Sequence, residues 1–271
     1  MRTTVLGSVF AKSLRDQRQS LGWWSLGLVL LTASIIAFFP SIRDNADIEE
    51  LMKAYPEGLM ALFGASDLEN ITSAAGFLNV ELFGFMVPLL FIVFAVGLGS
   101  GAIAGEEGRA TMEILLAEPV GRGRVVLEKS GAMIVATVVL GIVLWVAMVV
   151  GAVAVDMDIG PVRFAEAVLT VTLLGLTFGG LALAIGCITG NRGLALGVSS
   201  AAAVSTFVAN ALGEIADFID PAKWVSPFYY YNDANVLANG LNPAHAAVLA
   251  ATVAVLVGIG YRAFQRRDLR L

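Results

Sequence analysis

The sequence predicts an all-α polytopic membrane protein with six transmembrane helices. Of its 271 residues, 58% are hydrophobic and only 14% are charged, whereas a typical soluble domain carries about 25% charged residues. Uncharged runs long enough to cross a bilayer, about 20 residues each, recur along the chain. They are continuous rather than alternating, which indicates helices and not the strands of a membrane barrel. The predicted spans are residues 21–39, 82–105, 131–155, 167–191, 193–213 and 246–261.

The positions of Lys and Arg predict the orientation in the membrane. Residues 1–20, residues 106–130, Arg192 and the C-terminal tail hold 13 of the 17 basic residues, and the alternate segments hold 15 of the 22 acids. By the positive-inside rule, both termini and the 106–130 loop are cytoplasmic. The net charge of −5 therefore combines a basic inner side with an acidic outer side. It gives no indication of nucleic-acid binding.

Residues 1–20 are predicted to form an amphipathic helix lying at the membrane surface. Apolar residues recur there at helical spacing, and Lys12, Arg15 and Arg18 lie between them. We expect residues 21–39 to be a retained span and not a signal peptide, because no small-residue cleavage site follows. An acidic external loop, residues 40–81, is predicted next.

The second span, residues 82–105, contains glycines at every fourth position: Gly97, Gly101 and Gly105. Such small residues share one helix face and let a neighbouring helix come close, so this face is predicted to be a packing surface. The glycine-rich stretch does not continue into the Gly-Lys-Ser/Thr end of a phosphate-binding loop. It is therefore not predicted to bind nucleotide.

A cytoplasmic loop, residues 106–130, follows the second span and carries nine charges. Residues 106–118 are predicted to form a helix that ends before Pro119, and a second short helix leads into the third span. Such a helix–turn–helix with an apolar edge suits docking into a groove of a soluble partner. A solvated loop lying on lipid headgroups is the alternative, and the residues alone leave both open.

Residues within the predicted spans argue against several functions. No Asp, Glu, Lys or Arg lies between the predicted span ends, which disfavours a proton- or ion-coupled carrier and a charged pore. The threonines and serines there are predicted to hydrogen-bond between helices. Cys187 is expected to pack, and His245 to cap or to lie at the interface. With no catalytic or metal-binding constellation, we expect no enzymatic activity, cofactor or metal in this chain.

The external segment, residues 214–245, precedes the last span and is rich in aromatic side chains. They predict either an aromatic belt at headgroup depth or an external gate that contacts a substrate. The candidate gate residues are Phe228, Tyr229, Tyr230 and Tyr231.

Residues 105–129, GEEGRATMEILLAEPVGRGRVVLEK, resemble the first cytoplasmic loop of permease subunits in the type-2 ABC exporter family. The pattern in that family is close to GE-x-x-x-G-T-[LM]-E-[LI]-L-L-A-x-P-[VI]-x-R, and Ala110 stands where Gly is usual. Residues 226–240, SPFYYYNDANVLANG, resemble the family's external segment before the last span. The ending FQRRDLRL is similar to its common tail. The resemblance covers essentially the whole chain.

The resemblance implies that the loop is a coupling helix seated in a cleft of a separate ATP-binding subunit. Residues 1–20 would be the connecting helix that completes this dock. Two permease chains, identical or different, would work with two ATPase chains, and ATP and Mg would bind to the ATPases. The expected docking residues are Glu106, Glu107, Arg109, Thr111, Glu113, Leu115, Leu116, Pro119 and Arg122.

The function expected from this resemblance is export across the cytoplasmic membrane by alternating access. The cargo would be hydrophobic or amphipathic, such as a drug, a natural product or a lipid, and two permease copies would pack through spans two and five. Two other classes of function stay open on the residues alone. One is a self-contained six-span channel or carrier. The other is an intramembrane enzyme or a scaffold without transport activity.

Overall fold

The computed structural model describes residues 9–43, 73–109, 121–213, 224–232 and 235–267. These residues form helices without any strand, and six helical segments among them are long and apolar enough to cross a membrane. The predicted fold class, an all-α polytopic membrane protein, is confirmed. The helices are α1 Val9–Arg43, α2 Ala74–Leu78, α3 Met86–Ala102, α4 Ala104–Gly108, α5 Arg122–Ala154, α6 Pro161–Thr189, α7 Arg192–Gly213, α8 Pro227–Asn232, α9 Val236–Asn239 and α10 Pro243–Arg266.

The first helix differs from the prediction. Residues 9–20 do not form a separate surface helix but continue into the first span, giving one helix of 35 residues. At about 1.5 Å per residue this helix is about 50 Å long, so it extends beyond a hydrocarbon core of about 30 Å. Its first turn is held against α5, where the Phe10 amide donates to Glu128 Oε2 at 3.0 Å. The Phe10 ring also lies beside Gly131.

The second span also begins earlier than predicted. It consists of α2, a π-helical turn over Asn79–Phe83, and α3. The helical path breaks at Phe85, whose φ of −141° lies outside the helical region. At the end of the π-helical turn, Phe83 O accepts a hydrogen bond from the Tyr231 hydroxyl at 2.7 Å.

Local sequence signals explain the ends of the later spans. Pro161 opens α6, and Gly190 ends it in the left-handed conformation with φ of +67°, which favours glycine. Asn242 caps α10 by accepting a hydrogen bond from the Ala244 amide at 3.0 Å. Asn191 accepts from the Leu194 amide, also at 3.0 Å, at the start of α7.

The central helix of the bundle is α6. It packs against α3, α5, α7 and α10, and α1 packs mainly on α5. Most of the apolar stretch of α6 is buried, whereas α1, α7 and α10 leave most of theirs exposed. A helix that is apolar on all sides is expected to be buried in the core of a bundle, and α6 is. The exposed apolar faces are suited to lipid or to another membrane chain.

The contact between α3 and α6 is made by glycines, but on α3 by Gly99 and not by the predicted Gly97, Gly101 and Gly105. A Cβ added at Gly99 would overlap the Gly179 carbonyl oxygen, and one added at Gly175 would lie 3.0 Å from the Phe91 carbonyl oxygen. The backbones of the two helices therefore touch here. Gly97 and Gly101 face open space among the described residues. Within this chain the packing face of α3 is thus the one that carries Gly99.

The threonines of α6 also differ from the prediction. Thr172 and Thr177 each donate to the carbonyl of the residue four positions earlier in the same helix, at 2.6 and 2.9 Å. Thr170 donates to Ala167 O at 2.8 Å. Such bonds satisfy the hydroxyl inside its own helix. These three hydroxyls therefore donate within α6 and not, as predicted, to another helix.

Candidate functional site

One end of the bundle gathers charged residues from several helix ends. We call it the loop end: it comprises α4, the first two turns of α5, the last turn of α6, the start of α7 and the end of α10. Lys129 Nζ donates to Glu106 Oε1 at 2.9 Å, which joins α5 to α4. The Lys129 side chain is only 7% exposed. A buried ammonium group needs such a partner, because burying it alone would be costly.

A second ion pair at the loop end joins α4 to α10 and α6. The Arg267 guanidinium pairs with the Glu107 carboxylate. It also donates from Nη1 to the carbonyl oxygens of Cys187 at 2.7 Å and Gly186 at 3.3 Å. The Cys187 carbonyl belongs to the last turn of α6, where helix carbonyls lack a partner within the helix. The Gly186 carbonyl also accepts from the Gly190 amide at 2.9 Å. Arg122 at the start of α5 donates in turn to the Arg267 carbonyl at 2.9 Å.

Two glycines make room for these contacts. A Cβ at Gly190 would lie 2.5 Å from Glu107 Oε2 and 3.0 Å from Arg267 Nη2. A Cβ at Gly123 would lie 2.5 Å from the ring of Tyr261, so the start of α5 lies directly against α10. At both positions the missing side chain leaves room for these neighbouring side chains. The positive φ at Gly190 also favours glycine there.

The described docking residues mostly face the chain's own helices. Glu106, Glu107 and Arg122 make the contacts given above, while Arg109 is 62% exposed and lies 3.9 Å from Glu106. In the described part of the predicted 106–118 helix, α4 ends at Gly108. Their role as contacts to an ATPase stays a prediction. The other docking residues, Thr111, Glu113, Leu115, Leu116 and Pro119, lie outside the described residues.

The basic residues of the N-terminal segment are on the surface. Lys12, Arg15 and Arg18 are all exposed on the first turns of α1. Near them, Glu128 accepts from Arg124 at 2.6 Å and from the Phe10 amide. These basic side chains are therefore available to an anionic surface of either lipid or protein.

In the sequence, Lys129 and Arg267 are recognisable only as positive charges near predicted span ends, and their contacts are not apparent. Their partners lie 23 and 160 residues away in the chain. The available signal was the acidic doublet Glu106–Glu107 directly after an apolar span, since two adjacent carboxylates at a membrane border need cationic partners. Which cations provide them depends on how the helix ends meet.

The opposite end carries the predicted gate residues, and the structure separates them into two groups. Phe228 and Tyr231 are buried, Phe228 against the rings of Phe178 and Phe207 at centroid distances of 5.8 and 5.3 Å. The Tyr231 hydroxyl donates to Phe83 O at 2.7 Å. Burial raises the pKa of Tyr231 well above its ordinary value, so this hydroxyl stays a donor. Both residues thus hold the bundle together.

Tyr229 and Tyr230 form an aromatic cluster with the only histidine. The His245 ring lies 5.6 Å from the Tyr229 ring and 5.4 Å from the Tyr230 ring, measured between centroids. Trp224 packs on Tyr229 at 5.0 Å and is 59% exposed. Tyr229, Tyr230 and His245 are half-buried. A partly exposed aromatic cluster of this kind fits the predicted belt at the membrane interface.

A cavity of about 650 Å³ opens beside this region. Its walls include Phe39 and Arg43 at the end of α1, Asp156 and Asp158 between α5 and α6, and Arg163 in α6. Arg163 also pairs with Glu166 at 3.2 Å. The described ranges contain no group of three or more His, Cys, Asp or Glu residues able to hold a metal ion.

In the described residues, six apolar helical spans, one of them buried at the centre of the bundle, are joined by ion pairs at one end and define a multi-pass membrane domain. The family model described as "ABC-2 family transporter protein" matches residues 8–269. The chain therefore belongs to the ABC-2 transporter family and is a membrane permease of that family. No curated protein matches the chain.

Proposed function

We propose that this permease is the membrane-spanning subunit of an exporter driven by a separate ABC ATPase. It would move a hydrophobic or amphipathic cargo, such as a drug, a natural product or a lipid, outward across the cytoplasmic membrane. ATP and Mg would bind to the partner, and this chain would catalyse no reaction. Two ATPase copies and two permease chains would form the working unit, with both permease termini in the cytoplasm.

The observation that carries this proposal is the rigid base of the loop between α4 and α5. The Lys129–Glu106 pair joins the two helices that the loop connects. The Glu107–Arg267 pair fixes α4 to α10 and to the end of α6. A force applied to the loop would therefore reach several spans directly. A solvated loop without a partner would not require such a base.

The distribution of charge supports an external source of energy. In the spans, ionisable side chains occur only near the ends of the described helices, as with Lys129 and Glu166. A proton- or ion-coupled carrier would be expected to keep ionisable groups near the middle of the membrane. In the proposed machine, ATP binding to the partner shifts the permease between two conformations. The size of this shift is limited by how much more tightly the ATPase binds one conformation than the other.

The exposed faces support pairing with a second permease chain. Gly97 and Gly101 on α3 and Gly197 on α7 have open space beside them among the described residues. Small residues on exposed faces allow two membrane helices to approach closely. Packing of two chains through α3 and α7 is therefore part of the proposal, whether the two chains are identical or different.

The proposal is tested by purifying the tagged permease from its native membrane in mild detergent and identifying the proteins that accompany it. We expect an ABC ATPase in about equal amount, and ATP hydrolysis by the purified material. Leu115→Asp should remove the ATPase, because it places an unpaired charge in the predicted apolar docking face. Leu115→Met keeps an apolar side chain of similar volume and should retain it. Recovery of the permease dimer without any ATPase would contradict the proposal.

A further inference from the structure

Arg267 occupies an unusual position at the loop end, because one side chain contacts two other helices. Its guanidinium pairs with Glu107 of α4 and donates to the carbonyls of Gly186 and Cys187 in α6. Its own carbonyl accepts from Arg122 of α5. Arg267 itself follows α10 directly. Four helix ends therefore meet at this residue.

The geometry uses properties that only arginine has. A guanidinium group is planar and carries five N–H donors, so it can bind a carboxylate and two carbonyls at the same time. The α6 carbonyls that it contacts carry the partial negative charge of a helix C-terminus, which favours a cation there. Both side chains of the Glu107–Arg267 pair are 19% exposed. This pair is therefore better shielded from water than an ordinary surface ion pair.

The neighbouring basic residues do not share this arrangement. Arg262 and Arg266 on the same helix are exposed. Lys129 contacts Glu106 and so joins only α4 to α5. Of the two ion pairs that hold α4, the Arg267 pair is the one that reaches α6. Since α6 is the central and most buried span, this contact leads from the base of the loop into the core of the bundle.

The backbone at Gly190 leaves room for the Glu107–Arg267 pair. It ends α6 with a φ of +67°, and its missing side chain leaves the space that Glu107 and Arg267 occupy. A larger residue would meet Glu107 Oε2 at 2.5 Å. The end of α6 is thus shaped to receive the ion pair.

We infer that Arg267 is a positioning residue that transmits movement of the loop between α4 and α5 to the central helix α6. The inference rests on the proposed function, because the movement would be imposed by the ATPase. When the docked loop moves, α4 moves with it, and the Glu107–Arg267 contact carries α10 and the end of α6 along. Without this contact the ATPase would still dock, but its cycle would reach α6 only through the packing of α3 and α4 on that helix.

The test uses the purified complex of permease and ATPase in liposomes, with a reporter at the far end of α6. Val162→Cys places the reporter there, where Val162 is 70% exposed. The native Cys187 is buried and should not react. The rate of labelling by fluorescein maleimide is measured with ADP and again after trapping with ATP and vanadate. The ATPase content and the rate of ATP hydrolysis are measured on the same samples.

Arg267→Gln should leave the ATPase bound and hydrolysing ATP, while the ATP-driven change in labelling rate falls by about fivefold or more. Arg267→Lys keeps the charge but loses the fork of donors. Its labelling response should therefore lie between those of the parent protein and Arg267→Gln. Arg266→Gln is the matched control on the same helix and should behave like the parent protein. Arg267→Lys also carries the test if Arg267→Gln does not reach the membrane.

Three outcomes would overturn the inference. An unchanged labelling response in Arg267→Gln and Arg267→Lys would show that Arg267 does not transmit movement. Loss of the ATPase from Arg267→Gln, with retention in Arg266→Gln, would show that the residue acts in docking. Absence of any ATPase from the parent protein would refute the proposed function itself, and the inference with it.

Discussion

The buried ion pair between Glu106 and Lys129 allows a quantitative test of the loop end. Glu106→Gln leaves the Lys129 ammonium, only 7% exposed, without its carboxylate. Removing one partner of a buried pair costs about 3–5 kcal/mol. Because Glu106 is 18% exposed and water reaches this border, we expect a smaller loss, about 2–3 kcal/mol. Lys129→Met should cost only about 1 kcal/mol, since the remaining carboxylate can reach water.

The double variant Glu106→Gln/Lys129→Met should cost about 1 kcal/mol or less, because no buried charge is left alone. The coupling energy of the two sites is then about 2 kcal/mol. In detergent, thermal unfolding followed by intrinsic fluorescence should show Tm lowered by about 4–12 °C for Glu106→Gln, at about 2–4 °C per kcal/mol. The double variant should regain most of this loss. Purely additive effects of the two substitutions would refute the reasoning.

Two further predictions concern packing in the spans, and thermal unfolding in detergent checks both. Gly99→Ala should lower the free energy of unfolding by about 1–3 kcal/mol, because its methyl group overlaps a backbone carbonyl of α6 and forces the helices apart; Gly97→Ala, facing open space, should change it by less than about 1 kcal/mol. Equal effects of the two would contradict the observed contact face. Tyr231→Phe should cost about 1–2 kcal/mol, because it loses the buried hydrogen bond to Phe83 O. Tyr230→Phe loses only the exposed bond from its hydroxyl to Trp224 O and should cost less than about 0.5 kcal/mol. If Tyr231→Phe unfolds at the same temperature as the parent protein, the π-helical turn needs no side-chain donor.

The six spans could be predicted because uncharged length is the main requirement for crossing a bilayer. The ends of the helices were less predictable. Residues 9–20 contain neither glycine nor proline, so nothing in the backbone separates a surface helix from the span that follows. Amphipathic spacing alone does not show whether such a segment lies on the membrane or extends the span. Its contact with α5 through Phe10 decides this, and that contact joins residues 118 positions apart.

Periodicity also left the packing face of the second span undetermined. Gly97, Gly101 and Gly105 fit a spacing of four, but so do Ala95 and Gly99. The sequence cannot show which face meets α6, because that depends on how Gly175 and Gly179 are turned toward α3. The sequence likewise shows an acidic pair, Glu106 and Glu107, after this span. It does not show that Glu107 meets an arginine 160 residues later.

The central claim is that a separate ATPase drives this permease, and native mass spectrometry of the tagged protein purified from its own membrane tests it most directly. The account predicts an assembly of two permease chains and two ABC ATPase chains. Leu115→Asp should reduce that assembly to the permease dimer, and Leu115→Met should leave it intact. The account would be contradicted if the parent protein were detected only as a permease dimer under conditions that preserve its bound lipid.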